Sequence, residues 1–320
     1  MPNPFPANSL FFLKACCFWV FLFIGFAAYS QYTDIINSNN PGNTMGAYSV
    51  GSGVYQVEGR FYVDRFRVNN NFKDTESLFN NSMISLRIGL FKETLEVIYD
   101  GAYTVQFLTS PTIGQPVGIV QGLLVNRLGA KYMLYDPFRN PDNRPINVYS
   151  WKANNRFKWR NLLPAVALYA GANIGLKSSP YLVDYPSAAP RVMIITQSTL
   201  TPKMVLIVNG IYDFIGAKSL VTKTSLEEKS LIVSLSRAIK RKWSVFIEGQ
   251  YSVYQSYEEQ SIYQSYGKSY EEQTLRAGGA YLFNKNFQLD VFGGLNFQEN
   301  PEKVFAGMGF SYRIDRHKTR

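Results

Sequence analysis

Past residue 17 the sequence contains no cysteine, and the two present, Cys16 and Cys17, both lie in an N-terminal apolar stretch. Once that stretch is removed, no disulfide, thiolate metal site or cysteine nucleophile can form. Histidine is as scarce: the single one, His317, is fourth from the end. A His-based triad, a zinc site and the His–Ser arrangement of membrane lipases are thereby excluded. No glycine loop cradles a phosphate, because Gly278-Gly279 and Gly293-Gly294 sit inside extended segments. No carboxylate pair stands apart from the structural ones. The expectation is a protein that is not an enzyme and binds no cofactor or metal.

Charge is sparse too. Charged residues make up 18% of the chain, low for a water-soluble surface. The formal net charge is +10, yet no Lys/Arg block is long enough to form a nucleic-acid arm. The runs Lys240-Arg241-Lys242 and Arg316-His317-Lys318 fall in an expected turn and in the tail. Both read as solvated surface, so a nucleic-acid partner is not expected.

Long apolar runs are missing except at the start. Lys14 precedes the run Ala15 to Ala28, and Tyr29-Ser30-Gln31 follows. The run is short for a bilayer span, and small residues close it, as signal peptidase requires. Residues 1–30 therefore read as a signal peptide cleaved after Ser30, with an uncleaved N-terminal anchor as the alternative. Downstream, no segment approaches the roughly 20 apolar residues of a spanning helix.

Aromatic residues, by contrast, are abundant at 15%, with 22 Tyr and 23 Phe beside 24 Gly. Strands favour aromatics, and membrane barrels gather them in girdles at the two interfaces. Period-two alternation runs through the C-terminal third. Trp243, Val245, Ile247, Tyr251 and Val253 alternate with Ser244, Glu248, Gln250 and Ser252. Segments starting at Leu275, Phe287 and Val304 repeat the pattern. Less regular strands are expected near 53–66, 77–90, 94–107, 122–135, 163–176, 191–200, 203–214 and 229–239. The fold class is all-β: an antiparallel up-and-down transmembrane β-barrel of about 12 strands over residues 53–314. An even strand number returns the C-terminus to the periplasmic side. Polar, Gly/Asn-rich residues 31–52 read as a periplasmic or plug segment, and residues 315–320 as a basic tail.

If the apolar faces meet lipid, the charges face a lumen. Glu58, Arg60, Arg87, Glu96, Asp100, Arg127, Lys131, Glu248, Arg276, Asp290 and Arg313 form the expected inward set. They either line a polar path or pair with one another across a narrow lumen. The link 136–162 is long although it falls on the short-turn side, and it carries Trp151, Arg156, Lys158 and Trp159. It suits a headgroup layer or a docking partner, or is simply a solvated loop. In 254–273, Tyr254-Gln-Ser-Tyr257-Glu-Glu-Gln260 is echoed by Tyr263-Gln-Ser-Tyr266 and Tyr270-Glu-Glu-Gln273, as expected of two strand extensions joined by a polar loop around Gly267, or of a hairpin beyond the membrane that exposes tyrosines to a ligand.

Several short motifs resemble one family. They are Gly53-Val-Tyr-Gln56-Val-Glu58, Leu86-Arg-Ile-Gly-Leu90 with Leu95-Glu96, and Leu128-Gly-Ala-Lys131-Tyr132. Trp243-Ser-Val-Phe-Ile-Glu248, Gly278-Gly-Ala-Tyr281-Leu282, Phe287-Gln-Leu-Asp290 and Gly309-Phe-Ser-Tyr-Arg313 follow in order. The chain is similar to outer-membrane barrels of the phenol-degradation meta-pathway type, although Asn40-Pro41 stands where that family often has Arg-Pro. The last strand, with Gly309, Phe310 and Tyr312, also resembles the insertion signal of such barrels.

The resemblance implies a channel or transporter for small, including hydrophobic, molecules in the outer membrane of a Gram-negative bacterium. The alternative is a non-transporting structural subunit of an assembly or secretion complex. Expected partners are outer-membrane lipid, the barrel-assembly machinery during insertion, and other outer-membrane or periplasmic proteins.

Overall fold

The computed structural model describes residues 35–68, 75–109, 116–138, 156–175, 189–218, 223–260, 264–298 and 302–316. The strands are β1 (Val54–Val68), β2 (Thr75–Gly89), β3 (Leu95–Thr109), β4 (Pro116–Tyr135), β5 (Ala165–Asn173) and β6 (Ala189–Thr201). They continue with β7 (Met204–Lys218), β8 (Lys223–Ala238), β9 (Trp243–Gln260), β10 (Gln264–Asn284), β11 (Phe287–Asn296) and β12 (Glu302–Asp315). Each pairs antiparallel with its sequence neighbours, and β1 closes on β12 to complete a barrel. The closing register runs from Val54 opposite Asp315 to Arg67 opposite Glu302. Every strand has a partner on both sides, so the closed sheet has no edge strand, as hydrocarbon requires.

The side chains are sorted in reverse of a soluble protein. Arg87, Arg313, Lys131, Gln56, Glu96 and Glu248 are among the largest fully buried side chains. Phe61, Ile194, Val291 and Met308 are exposed. A soluble sandwich would bury the second set and wet the first. Here the strand alternation turns polar groups inward and leaves the apolar face outside, where acyl chains serve as its solvent. Val291, near the middle of β11, is 61% exposed. Val291→Arg is expected to cost about 2–4 kcal/mol of folding free energy in lipid vesicles. Denaturant titration measures it, and an unchanged midpoint contradicts the lipid-facing position.

Every expected strand is present, but several run further. β4 begins at Pro116 and β8 at Lys223, six residues before the alternation suggests in each case. The extra β8 residues, Lys-Thr-Ser-Leu-Glu-Glu, pair with their neighbours without an alternating apolar face, so period-two hydrophobicity does not mark them. The expected pivot at Gly267 is corrected by the register. Gly267 lies opposite Tyr257, and Gln264 pairs with Gln260, so both strands continue past that position. Tyr254 meets Tyr270 with ring centroids 6.0 Å apart. The sequence echo therefore marks two strands facing each other, with backbone pairing continuing well past Gly267.

Val54 and Asp315 mark the lower end of the barrel. It carries the links at 90–94, 202–203, 239–242 and 285–286, together with the long one at 136–164.

Candidate functional site

The lumen is occupied by the chain's own N-terminal segment. At the lower end the Ile36 N–H donates to the carbonyl of Lys285, in the β10–β11 turn. The segment then sweeps around the inside of the wall. Ser38 Oγ lies 2.6 Å from Ser311 Oγ on β12. The Asn40 amide donates to the carbonyls of Gly59 and Phe310. The N–H groups of Asn43 and Thr44 and the Thr44 hydroxyl all donate to the Glu248 carboxylate on β9, at 3.0–3.1 Å. Met45 exchanges two hydrogen bonds with the Asn209 side chain on β7, as a strand partner would. The Ala47 N–H donates to Gln197 Oε1 on β6 (2.9 Å), and the Val50 N–H to Glu96 Oε2 on β3 (2.7 Å).

A plug of this kind needs polar wall groups, because each backbone N–H and C=O taken out of water must find a partner. The inward charges supply them. Arg87 is central: its Nη1 lies 2.9 Å from Glu58 and its Nη2 3.1 Å from Glu96, and Nη1 also donates to the Asn37 carbonyl. Lys131 Nζ is 2.9 Å from Glu96 and donates to the carbonyls of Gly46 (2.7 Å) and Tyr48 (3.0 Å). Two cations and two carboxylates from β1, β2, β3 and β4 thus neutralise one another, and their spare donors and acceptors hold the plug. Arg87, Glu96 and Lys131 are each 0% exposed. On the other side Arg276 pairs with Glu248.

The plug's apolar residues meet an apolar part of the wall. Ala47 clusters with Ala165, Ala167, Tyr169, Met193, Ile195, Ile211 and Ile232, and Met45 and Tyr48 pack against that group. These wall residues come from β5, β6, β7 and β8, so this quadrant is greasy on both faces: lipid outside, plug inside.

The return into β1 depends on glycine. Gly51 and Gly53 have φ of 87° and 77°, the left-handed region that side chains disfavour. A Cβ on Gly89 would sit 1.5 Å from the Gly51 carbonyl oxygen. Gly89→Ala therefore displaces the plug's exit turn. The expected loss is about 1–3 kcal/mol, read as a lower unfolding midpoint, and an unshifted midpoint contradicts the close approach.

Above the plug lies a cavity of about 410 Å³. Its floor includes Asn43, Thr44 and Met45, and Arg60, Asp100, Arg127, Arg191 and Asp213 are among its wall groups. Arg127 and Arg191 share Asp213 Oδ2 at 2.8 and 3.0 Å. Asp100 faces Arg127 in register, and Arg60 donates to the side chains of Asn40 and Asn43.

Of the inward set read from sequence, Glu58, Arg87, Glu96 and Lys131 meet in one cluster and Glu248 meets Arg276. Asp290 is buried opposite Gly309. Arg313 is buried beside Asn286, with Asp315 at 3.4 Å. Arg127 pairs with Asp213, a residue absent from that set, as is Arg191. They lie on β6 and β7, whose inward positions are largely apolar apart from Gln197 and Asn209. Their parity with Asn209 and Met193 was the available signal.

Arg156, Lys158 and Trp159 lie at the lower end, where Trp159 is 81% exposed and stacks edge-on with Phe157. Trp151 falls outside the described residues. Phe310 lies over Gly59 on the outer face, Gly309 is buried, and Tyr312 is exposed beside Phe287. Among the described residues no cluster of His, Cys, Asp and Glu has the form of a metal site.

A closed wall of twelve strands, apolar outside and polar within, defines an outer-membrane β-barrel with a channel-like fold. Residues 38–314 match the family model described as putative MetA-pathway of phenol degradation, and the chain belongs to that family. The crystal structure of the COG4313 outer membrane channel from Pseudomonas putida F1 superposes with a TM-score of 0.61 at 10% identity. That match covers 87% of this chain and all of the other, and it carries the fold. The β domain of the Bordetella autotransporter BrkA matches at TM-score 0.49 and 13% identity, over 82% of this chain and 100% of that one. The KdgM porin matches at 0.40 and 11%, over 81% and 99%. No curated protein matches in sequence.

Proposed function

We propose that this protein is a plugged channel for small molecules in the outer membrane, closed in the state described. The observation that carries the reading is the 410 Å³ cavity whose floor is the plug. A barrel serving only as scaffold has no need of a polar, solute-sized chamber resting on a segment held by hydrogen bonds. The chamber sets charged groups beside Met193, Ile211 and Ile232, which suits small solutes with both polar and apolar parts. Residues 1–30 act as the export signal, so the intact mass of purified protein is expected to place Gln31 first. A mass that retains Met1 contradicts cleavage. The barrel-assembly machinery inserts the chain through its last strand.

Liposome swelling tests the transport reading. Vesicles carrying the barrel are expected to swell in small sugars and small aromatic acids, more slowly than with an open porin. A barrel that passes neither solutes nor ions, with the plug present or deleted, overturns it.

The exposed Phe157–Trp159 pair with Arg156 and Lys158 favours a second reading, a non-transporting subunit of a larger outer-membrane assembly. Purification in mild detergent separates the two. Stoichiometric partner proteins support the subunit, and recovery of the barrel alone supports the channel.

A further inference from the structure

The two ends of the barrel differ in charge. At the lower end every link carries exposed cations. Lys92 lies in the β2–β3 turn, Lys203 in β6–β7, Lys240-Arg241-Lys242 in β8–β9 and Lys285 in β10–β11. Arg156 and Lys158 lie in the β4–β5 link, and Arg316 follows β12. The carboxylates among the described residues of this rim are Glu93, Asp136 and Asp315. The opposite end mixes the signs, with Arg65 on Glu76 at 2.7 Å and Lys229 beside Glu227 at 3.9 Å.

Immediately above the basic rim, on the outer face, runs a continuous row of rings. Trp243 meets Tyr281, Tyr281 meets Phe283, Phe283 meets Phe287 and Phe287 meets Tyr312, with centroids 4.7–6.5 Å apart. Such a girdle marks the boundary between hydrocarbon and headgroups. Lys242 joins the two layers: its Nζ lies 5.9 Å from the Tyr281 ring centroid and donates to the Phe283 carbonyl.

We infer that the lower rim is a collar for anionic phospholipid headgroups of the periplasmic leaflet. Cations one or two residues beyond an aromatic girdle stand at the height of lipid phosphates. They ring the whole circumference, as a leaflet requires, whereas a docked protein would call for one patch. The Phe157–Trp159 pair, exposed among Arg156 and Lys158, belongs to the same layer. With the start of β1 and the end of β12 both on the periplasmic side, the lower rim meets phosphatidylglycerol or cardiolipin, and the phosphorylated glycolipid of the outer leaflet meets the end of mixed charge.

Native mass spectrometry of the full chain in detergent, with phosphatidylglycerol, cardiolipin or phosphatidylethanolamine added, tests the collar. The wild type is expected to retain the anionic lipids over phosphatidylethanolamine. The triple variant K240Q/R241Q/K242Q, shown to be folded by its heat-modifiable gel mobility, is expected to lose about tenfold of that preference. The variant K229Q at the opposite end is expected to keep it. Equal retention of the lipids, an unchanged preference in the triple variant, or selective retention of the phosphorylated glycolipid through these same lysines would overturn the inference. So would a stoichiometric acidic protein held by the rim in place of lipid.

Discussion

Deleting residues 35–52 is expected to raise single-channel conductance several-fold over the wild type in planar bilayers. Twelve strands enclose more room than the eight whose lumen side chains just fill, and the described lumen is obstructed by chain as well as by side chains. Without the plug, the Glu248–Arg276 pair and the Glu58–Arg87–Glu96–Lys131 cluster keep one another neutral. The barrel therefore folds with a hydrated interior. A milder change points the same way. Glu248→Ala removes the shared acceptor of four donor groups on Asn43, Thr44 and Arg276, and it is expected to give frequent brief openings. An unchanged current after the deletion would mean that the wall itself closes the lumen.

Arg87→Ala is expected to cost about 3–5 kcal/mol, the range found when one member of a buried ion pair is removed. Two carboxylates, Glu58 and Glu96, lose their shared guanidinium, and the Asn37 carbonyl loses a donor. Lys131 remains to offset one charge, leaving the other buried without a counterion. Arg87→Lys is expected to fall between, because an ammonium cannot span two carboxylates with a planar fork. Guanidinium titration of the protein folded into vesicles measures both. A loss below about 1 kcal/mol, typical of exposed pairs, would mean that water reaches the cluster.

The strands were legible because lipid outside and polar groups inside enforce alternation. β9 to β12 show it cleanly: Ile247, Leu275, Val291 and Met308 face out while Glu248, Arg276, Asp290 and Ser311 are buried. β5 to β8 are less regular in sequence for a reason the plug supplies. Ala167, Ile195, Ile211 and Ile232 face inward yet are apolar, since they pack around Ala47, Met45 and Tyr48. A wall that meets lipid on one side and a partly apolar plug on the other shows only isolated polar positions inward, Gln197 and Asn209 among them. Asp213 and Arg191 were missed in that quadrant for the same reason.

The inward direction of Glu58, Arg87, Glu96 and Lys131 follows from strand parity, but their shared use by a segment far away in sequence does not. Residues 35–52 carry no periodic pattern. Their place is set by which N–H meets which carboxylate, a matter of three dimensions. The continuation of β9 and β10 beyond Gly267 was hidden likewise, because backbone pairing outside the membrane needs no apolar partner.

The seating of the plug is tested most directly by cross-linking. The chain has no cysteine after Cys17, so introduced thiols stand alone once the export signal is gone. Ala47→Cys with Gln197→Cys, treated with a short bis-methanethiosulfonate reagent in intact outer membranes, is expected to cross-link efficiently. Ala47→Cys with Val192→Cys, on the outer face of the same strand, is expected not to. Equal yields from the two pairs would contradict a plug held inside the barrel.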